Sequence, residues 1–120
     1  MKLSFLFKGG LVFVLFLFFI LQSCSYPVLD KEAPAINEIK KGEKFTIILP
    51  ENHSENFIWR LKEQSHSKII KHINAVWHGN EKGVYYNFES LNQGTDTLFF
   101  TQMKMKEATG TAVYYIRVNN

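Results

Sequence analysis

Five stretches of this chain alternate, residue by residue, between large apolar side chains and their neighbours. Phe45, Ile47 and Leu49 form the first, and Phe57, Trp59 and Leu61 the second. Val84, Tyr86 and Phe88 form the third, and Leu98 and Phe100 the fourth. Tyr114, Ile116 and Val118 close the chain, with Val113, Tyr115 and Arg117 on the opposite face. Successive side chains of a strand point to opposite faces, so aromatic and β-branched residues at period two argue strand rather than helix. Turn residues separate the runs, at Gly42-Glu43, Gly79-Asn80, Asn92-Gln93-Gly94 and Ala108-Thr109-Gly110. Glu63 to Val76 is less regular and reads as a long connection holding a strand at Lys68 to Ile73. The expected fold is an all-β sandwich whose two antiparallel sheets bury their alternate residues against each other. An up-and-down barrel is the alternative, for which the chain is short and the strands few.

The amino end follows different rules. Lys2 and Lys8 flank a short positive region, and Gly9 to Leu21 then contains no charged residue. This is the layout of an export signal, and the run stops at Gln22, short of the roughly 20 apolar residues a membrane span needs. Leu21-Gln22-Ser23-Cys24 resembles the lipobox of bacterial lipoproteins. The resemblance implies cleavage before Cys24, a diacylglycerol on its sulfur, and an anchor in the lipid bilayer. Several acyl chains hold firmly because each buried CH₂ contributes about 0.8 kcal/mol. The expected organisation is a signal peptide over 1–23, a lipidated tether over 24–38 and a folded domain over 39–120. The tether carries Pro27 and Pro34 and ends in an edge strand around Ile36 to Ile39. The location implied is the bacterial cell envelope. Ser25 lacks the aspartate associated in some bacteria with inner-membrane retention, which favours the outer membrane.

Removal of the signal leaves 97 residues, enough for one modest domain, with twelve basic against eleven acidic side chains. The basic balance is mostly a property of the precursor, and no Lys or Arg stripe interleaves with aromatics, so no nucleic-acid partner is implied. Cys24 is the sole cysteine, which excludes a disulfide within the domain. His53, His66, His72 and His78 are spaced by 13, 6 and 6 residues with no tight ligand motif, and they read as scattered surface side chains rather than a metal site. There is no nucleophile elbow and no Gly-rich phosphate cradle. Glu51 and Glu55 fall in an apparent loop and read as solvated charges. No enzyme activity and no cofactor are expected.

The most informative segment is Leu49-Pro50-Glu51-Asn52-His53-Ser54-Glu55-Asn56-Phe57-Ile58-Trp59. It reads as a strand end, a polar turn and a new strand whose Phe57 and Trp59 share one face, both as core supporting the loop. Polar loops at the end of a sandwich are a usual place for recognition. Here the chain resembles the chagasin family of cysteine-peptidase inhibitors, whose first recognition loop typically reads Asn-Pro-Thr/Ser-Thr-Gly-Tyr-x-Trp. Asn52, Ser54 and Trp59 match directly, and Phe57 is a close aromatic substitute. His53 stands at the proline, Glu55 at the threonine and Asn56 at the glycine. Asn tolerates positive φ better than most residues other than Gly, which preserves the turn. The layout of the resemblance covers Lys41 to Val118. The family's Arg-Pro-Trp element is missing, and Gln102-Met103-Lys104-Met105-Lys106-Glu107 occupies its place.

The resemblance implies an Ig-like sandwich that lays three loops from one end across the cleft of a papain-like cysteine peptidase. Asn52, His53, Ser54, Glu55 and Asn56 would enter the cleft. The Gly79 to Gly83 loop and the Met103 to Lys106 loop, with Met103, Lys104 and Met105 in contact, would grip its sides. Inhibition would be reversible occlusion by a monomer. Two other classes stand beside it. One is an envelope-anchored binding or assembly module using Tyr85, Phe99, Tyr115 and the methionines of a sheet face. The other is an enzyme or carbohydrate-binding module, which needs a concave aromatic or acidic site and would be favoured by Trp77, Tyr85 and Glu81 clustering in a groove.

Overall fold

The computed structural model describes residues 26–62 and 67–120. The signal segment 1–23, the lipidation site Cys24 and His66 lie outside the described residues. Seven strands form two sheets. They are β1 (Ile36–Lys40), β2 (Lys44–Leu49), β3 (Phe57–Leu61), β4 (Ile70–Trp77), β5 (Val84–Ser90), β6 (Gly94–Lys104) and β7 (Glu107–Asn119). One sheet has the order β1-β7-β6-β3 and the other β2-β5-β4, so the arrangement is a sandwich and not a barrel. All strand pairs are antiparallel except one: β1 runs parallel to β7, Ile36 opposite Tyr115.

The period-two runs become the core. Phe45, Ile47, Leu49, Val84, Tyr86, Phe88, Leu98, Phe100, Tyr114, Ile116 and Val118 are all buried. Phe45 stacks on Phe88 with ring centroids 5.2 Å apart, and Phe100 meets Tyr86 and Tyr114 edge-on at 4.9 and 5.8 Å. These are the offset and T-shaped arrangements that the aromatic quadrupole favours. The Tyr86 hydroxyl donates to the Trp59 carbonyl at 3.0 Å. Burial first, and the nearby Glu51 carboxylate second, push the Tyr86 phenol up to about 12. Tyr114 is raised too, by burial and then by Glu32 and Asp30.

Three expectations change. The strand placed at Lys68 to Ile73 is instead β4, Ile70–Trp77, and pairs with β5 along its length. A bulge between His72 and Asn74 breaks its alternation: Ile70 and His72 face Ser90 and Phe88, but Ala75 and Trp77, not Asn74 and Val76, face Tyr86 and Val84. Ala108-Thr109-Gly110 is not a turn but part of β7. Gly110 pairs with Gln102 and Ala108 with Met103, so Thr109 is the extra residue of a second bulge. A Cβ on Gly110 would lie 3.1 Å from the Gln102 side-chain oxygen, which would have to shift by a few tenths of an ångström to admit it. The chain reverses at Met105-Lys106, both at positive φ (51° and 71°), as a two-residue primed hairpin turn requires.

The segment expected as a tether is tied to the domain. Leu29 N donates to Thr46 O and Thr46 N to Pro27 O, each at 2.9 Å, and Ala33 N donates to Val113 O at 2.8 Å. The buried Asn37 amide donates to the Lys31 and Tyr115 carbonyls at 2.7 and 3.3 Å. Covered by this segment, Thr46 is itself buried although its side chain faces away from the core, and it donates to the Asn87 side-chain oxygen at 2.6 Å. Among the described residues the hydrogen-bonded fold therefore reaches back to Pro27, well before residue 39.

Candidate recognition site

The polar turn between β2 and β3 is closed on itself. Asn52 and Phe57 exchange backbone hydrogen bonds at 3.0 and 2.9 Å. Between them His53–Glu55 makes one 3₁₀ turn, capped by the Asn52 side chain, which accepts from Ser54 N at 3.0 Å. Asn56 ends the turn in the left-handed region at φ 54°, the conformation its amide side chain makes accessible. His53, Ser54, Glu55 and Asn56 are exposed, while Asn52 is half-buried.

Beneath the turn sits Glu51, which the structure places inside the protein rather than in solvent; it is only 6% exposed. One carboxylate oxygen accepts from Trp59 N at 2.9 Å and the other meets the His53 ring at 2.7 Å. The Trp59 indole donates to Pro50 O at 2.7 Å and packs against the core, with Phe57 edge-on to it at 6.4 Å. β3 is the outer strand of its sheet, and the Trp59 N–H and C=O point away from β6. Glu51 and Tyr86 occupy these two groups, which keeps a sheet edge from pairing with another chain.

Two hairpins support the turn from either side. On one flank Asn80 accepts from His53 N at 3.1 Å and donates to Ser54 Oγ at 3.2 Å. Trp77 lies flat against the His53 ring, centroids 4.0 Å apart and planes 9° from parallel. On the other flank Met105 N donates to Asn56 O at 3.2 Å. Met105 itself is 70% exposed at the tip of the β6–β7 hairpin. Beside it a cleft of about 470 Å³ is lined by Asn56, Ile58, Arg60, Met103, Met105 and Lys106. The three segments singled out from sequence thus meet at one end of the sandwich, joined by direct hydrogen bonds.

Not every residue has the position expected of it. Met103 and Lys104 belong to β6, opposite Ile58 and Phe57, so only Met105 and Lys106 form the loop. Gly83 is buried, and a Cβ there would come within 2.3 Å of the Leu49 carbonyl oxygen; its role is to let the β4–β5 connection approach β2. Gly79 is half-buried with open space around its Cβ position. Trp77 and Tyr85 lie on opposite faces of their sheet, because Trp77 pairs with Val84 and Val76 with Tyr85, so they form no common groove with Glu81. Among the described residues no three His, Cys, Asp or Glu side chains converge on one point. His72 packs against Tyr86 and Phe88, and His78 against Tyr85. Sequence reasoning included Asn80 and Lys106 only as members of their loops and read Glu51 as a solvated charge, so it missed Glu51 as the support of the turn. The contacts of Asn80 cross 27 and 26 residues, and no local pattern announces them.

This sandwich has solved counterparts. The cysteine protease inhibitor EhICP2 from Entamoeba histolytica superposes with a TM-score of 0.64 at 17% identity, over 78% of this chain and 95% of that one. The chain has the chagasin-like, Ig-like fold. Amebosin is also similar, with a TM-score of 0.51 at 16% identity over 79% of this chain and 99% of that one. No family model matches the sequence, and no curated protein matches it. The chagasin-like fold is therefore carried here by a sequence far from both neighbours.

Proposed function

We propose that this chain is a reversible inhibitor of papain-like cysteine peptidases, anchored in the bacterial envelope through Cys24. The observation that carries the reading is the construction of the loop end. A closed, capped Asn52–Asn56 turn projects between two hairpins and is bonded to both. Such a turn binds with little loss of conformational freedom, because its backbone is already ordered before contact. The likeness to a cysteine protease inhibitor supports the same conclusion.

The exposed side chains of His53, Ser54, Glu55 and Asn56 would occupy the peptidase cleft. The Met105-Lys106 tip would lie on one rim and the Gly79-Asn80 turn on the other. Occlusion needs no bond to form or break. A standard interface covers about 800 Å² on each partner, and three adjoining loops approach that area. The flat His53 and Trp77 pair offers a rigid aromatic contact of the kind that dominates binding energy. Met105 replaces a rigid anchor by a flexible one, which suits adaptable contact with more than one peptidase.

The test is an inhibition titration of papain by the soluble protein beginning at Ser25, beside a variant with Asn52–Asn56 replaced by glycine and serine. Submicromolar inhibition that disappears in the loop variant supports the reading. Absence of inhibition at tens of micromolar, from protein with intact near-ultraviolet dichroism, refutes it for this peptidase class. Radiolabelled palmitate incorporation, lost in Cys24→Ser, tests the anchor.

A further inference from the structure

The chain enters the sandwich at the end opposite the recognition loops. β2 runs from Lys44 towards Leu49, and so towards the loop end, and Val28 is bridged to Thr46 in the parallel sense. Going back from Leu29 to Tyr26 therefore leads away from the loops. Tyr26 ends beside Lys44, whose ammonium lies 5.7 Å from its ring centroid. The same end carries Lys40, Lys41, Lys44, Lys68 and Lys71, all exposed. Among the described residues its carboxylates are fewer: Glu43 is exposed, and Glu89 is half-buried opposite both Lys44 and Lys71. Asp96 is half-buried and engaged by Ser67, and Glu38 is paired with Arg117.

We infer that this lysine-rich end rests on an anionic phospholipid surface and that the loops point away from it. The inference rests on the anchoring of Cys24. Cys24 is two residues before Tyr26, so at most ~7 Å of chain separates them. Acyl chains in the hydrocarbon then hold Tyr26 at the depth of the headgroups, where tyrosine is favoured. Little chain is left to lift the domain, because among the described residues hydrogen bonding to the sandwich reaches back to Pro27. The lysines fall within or near one Debye length of the surface, about 8 Å at physiological salt, where anionic headgroups attract them. The 13 residues of β7 run the length of the sandwich, ~40 Å at strand rise, and carry the recognition loops beyond the reach of the surface. A peptidase in the surrounding medium, not one embedded in the same membrane, is the partner this orientation serves.

The chain's own tryptophans make the test. Trp59 and Trp77 both lie at the loop end, and the sequence holds no other tryptophan. Full-length acylated protein is extracted from membranes and reconstituted into vesicles of phosphatidylethanolamine and phosphatidylglycerol in equal parts, doped with dansyl-phosphatidylethanolamine. Tryptophan emission in the parent should be untouched by the dansyl acceptor. The Lys41→Trp variant should lose emission to it, and adding Lys40→Glu and Lys44→Glu should restore part of that loss. Strong transfer from the parent's tryptophans overturns the orientation. Transfer from Lys41→Trp that ignores charge reversal overturns the role of the lysines. The mass of the N-terminal peptide separates the two levels of failure: an unacylated Cys24 removes the anchor and the orientation with it, whereas an acylated Cys24 with a wrong transfer pattern leaves the anchor standing.

Discussion

Replacing Glu51 by alanine removes two contacts at once from beneath the recognition turn. The first is the acceptor of Trp59 N, at 2.9 Å, on an edge strand where no neighbouring backbone offers another. Leaving that donor without a partner costs roughly 1–3 kcal/mol. The second is the 2.7 Å contact with the His53 ring, whose side chain is 41% exposed. Exposure limits this pair to about 0.2–1 kcal/mol. Together they place the Glu51→Ala cost at about 1–4 kcal/mol. For a domain of this size that lowers the melting temperature by at least ~5 °C. Glu51→Gln keeps a carbonyl oxygen for Trp59 N and loses only the charge, so its cost is below ~1 kcal/mol. Glu55→Ala, in the same turn but exposed, should be near neutral. Urea denaturation of the three variants gives the free energies, and hydrogen exchange at the Trp59 amide reports the contact itself. Protection should be lost in Glu51→Ala and kept in Glu51→Gln. If Glu51→Ala and Glu55→Ala prove equally stable, the carboxylate does not hold the turn and the account of its burial is wrong.

Gly83→Ala should cost at least ~2 kcal/mol, since its Cβ would sit 2.3 Å from the Leu49 carbonyl oxygen at a φ of +84°; a Gly79→Ala control has open space around its Cβ, and the difference in denaturation midpoint checks the point. Lys106→Gly relieves a side chain from φ 71° and should stabilise the β6–β7 hairpin by about 1 kcal/mol, read as a higher melting temperature with an unchanged circular dichroism spectrum. Tyr86 makes stability fall at high pH: its phenol titrates at about 12 when folded and near 10 when unfolded, so its stabilisation is intact below pH 10 and is lost between 10 and 12. The slope there is at most about 1.4 kcal/mol per pH unit from this group. Tyr86→Phe should remove it while costing roughly 1 kcal/mol at neutral pH for the unpaired Trp59 carbonyl, both visible in urea melts across pH.

How much of the fold was legible follows from where each strand lies. β5 and β7 separate the core from another environment, so Val84, Tyr86 and Phe88, and Tyr114, Ile116 and Val118, wrote their burial as plain alternation. β4 is an outer strand, exposed along most of its length, and its inward positions Ile70, His72, Ala75 and Trp77 change phase at the bulge. Hydrophobicity and period therefore marked only its first part, Ile70 to Ile73, and not its continuation to Trp77. The misplaced turn has the same origin. Thr109 and Gly110 carry turn-forming side chains for the sake of a bulge, while Met105 and Lys106 make the real reversal without them. The lengths and pairing of β6 and β7 impose that turn on residues with no preference for it.

The bulge in β4 also connects the fold to the site. In an unbroken strand the positions facing the core would be Ile70, His72, Asn74 and Val76, and Trp77 would point outward beside Tyr85. One extra residue reverses this, so that Trp77 joins the inward set and lies flat against His53 at 4.0 Å. The recognition turn itself was legible, because Asn52 and Asn56 carry its capping and its left-handed corner in their own side chains. Its rigidity was not. That comes from Glu51 below, Trp77 and Asn80 on one side and the Met105 amide on the other, each delivered by strand register. A sequence can retain the capping asparagines and lose the supports, and it would then keep the family-like letters of the loop without its shape. At the place of the absent Arg-Pro-Trp element the Met105-Lys106 tip is tied to Asn56 through the Met105 amide, so on this flank a backbone contact and not a side chain holds the turn.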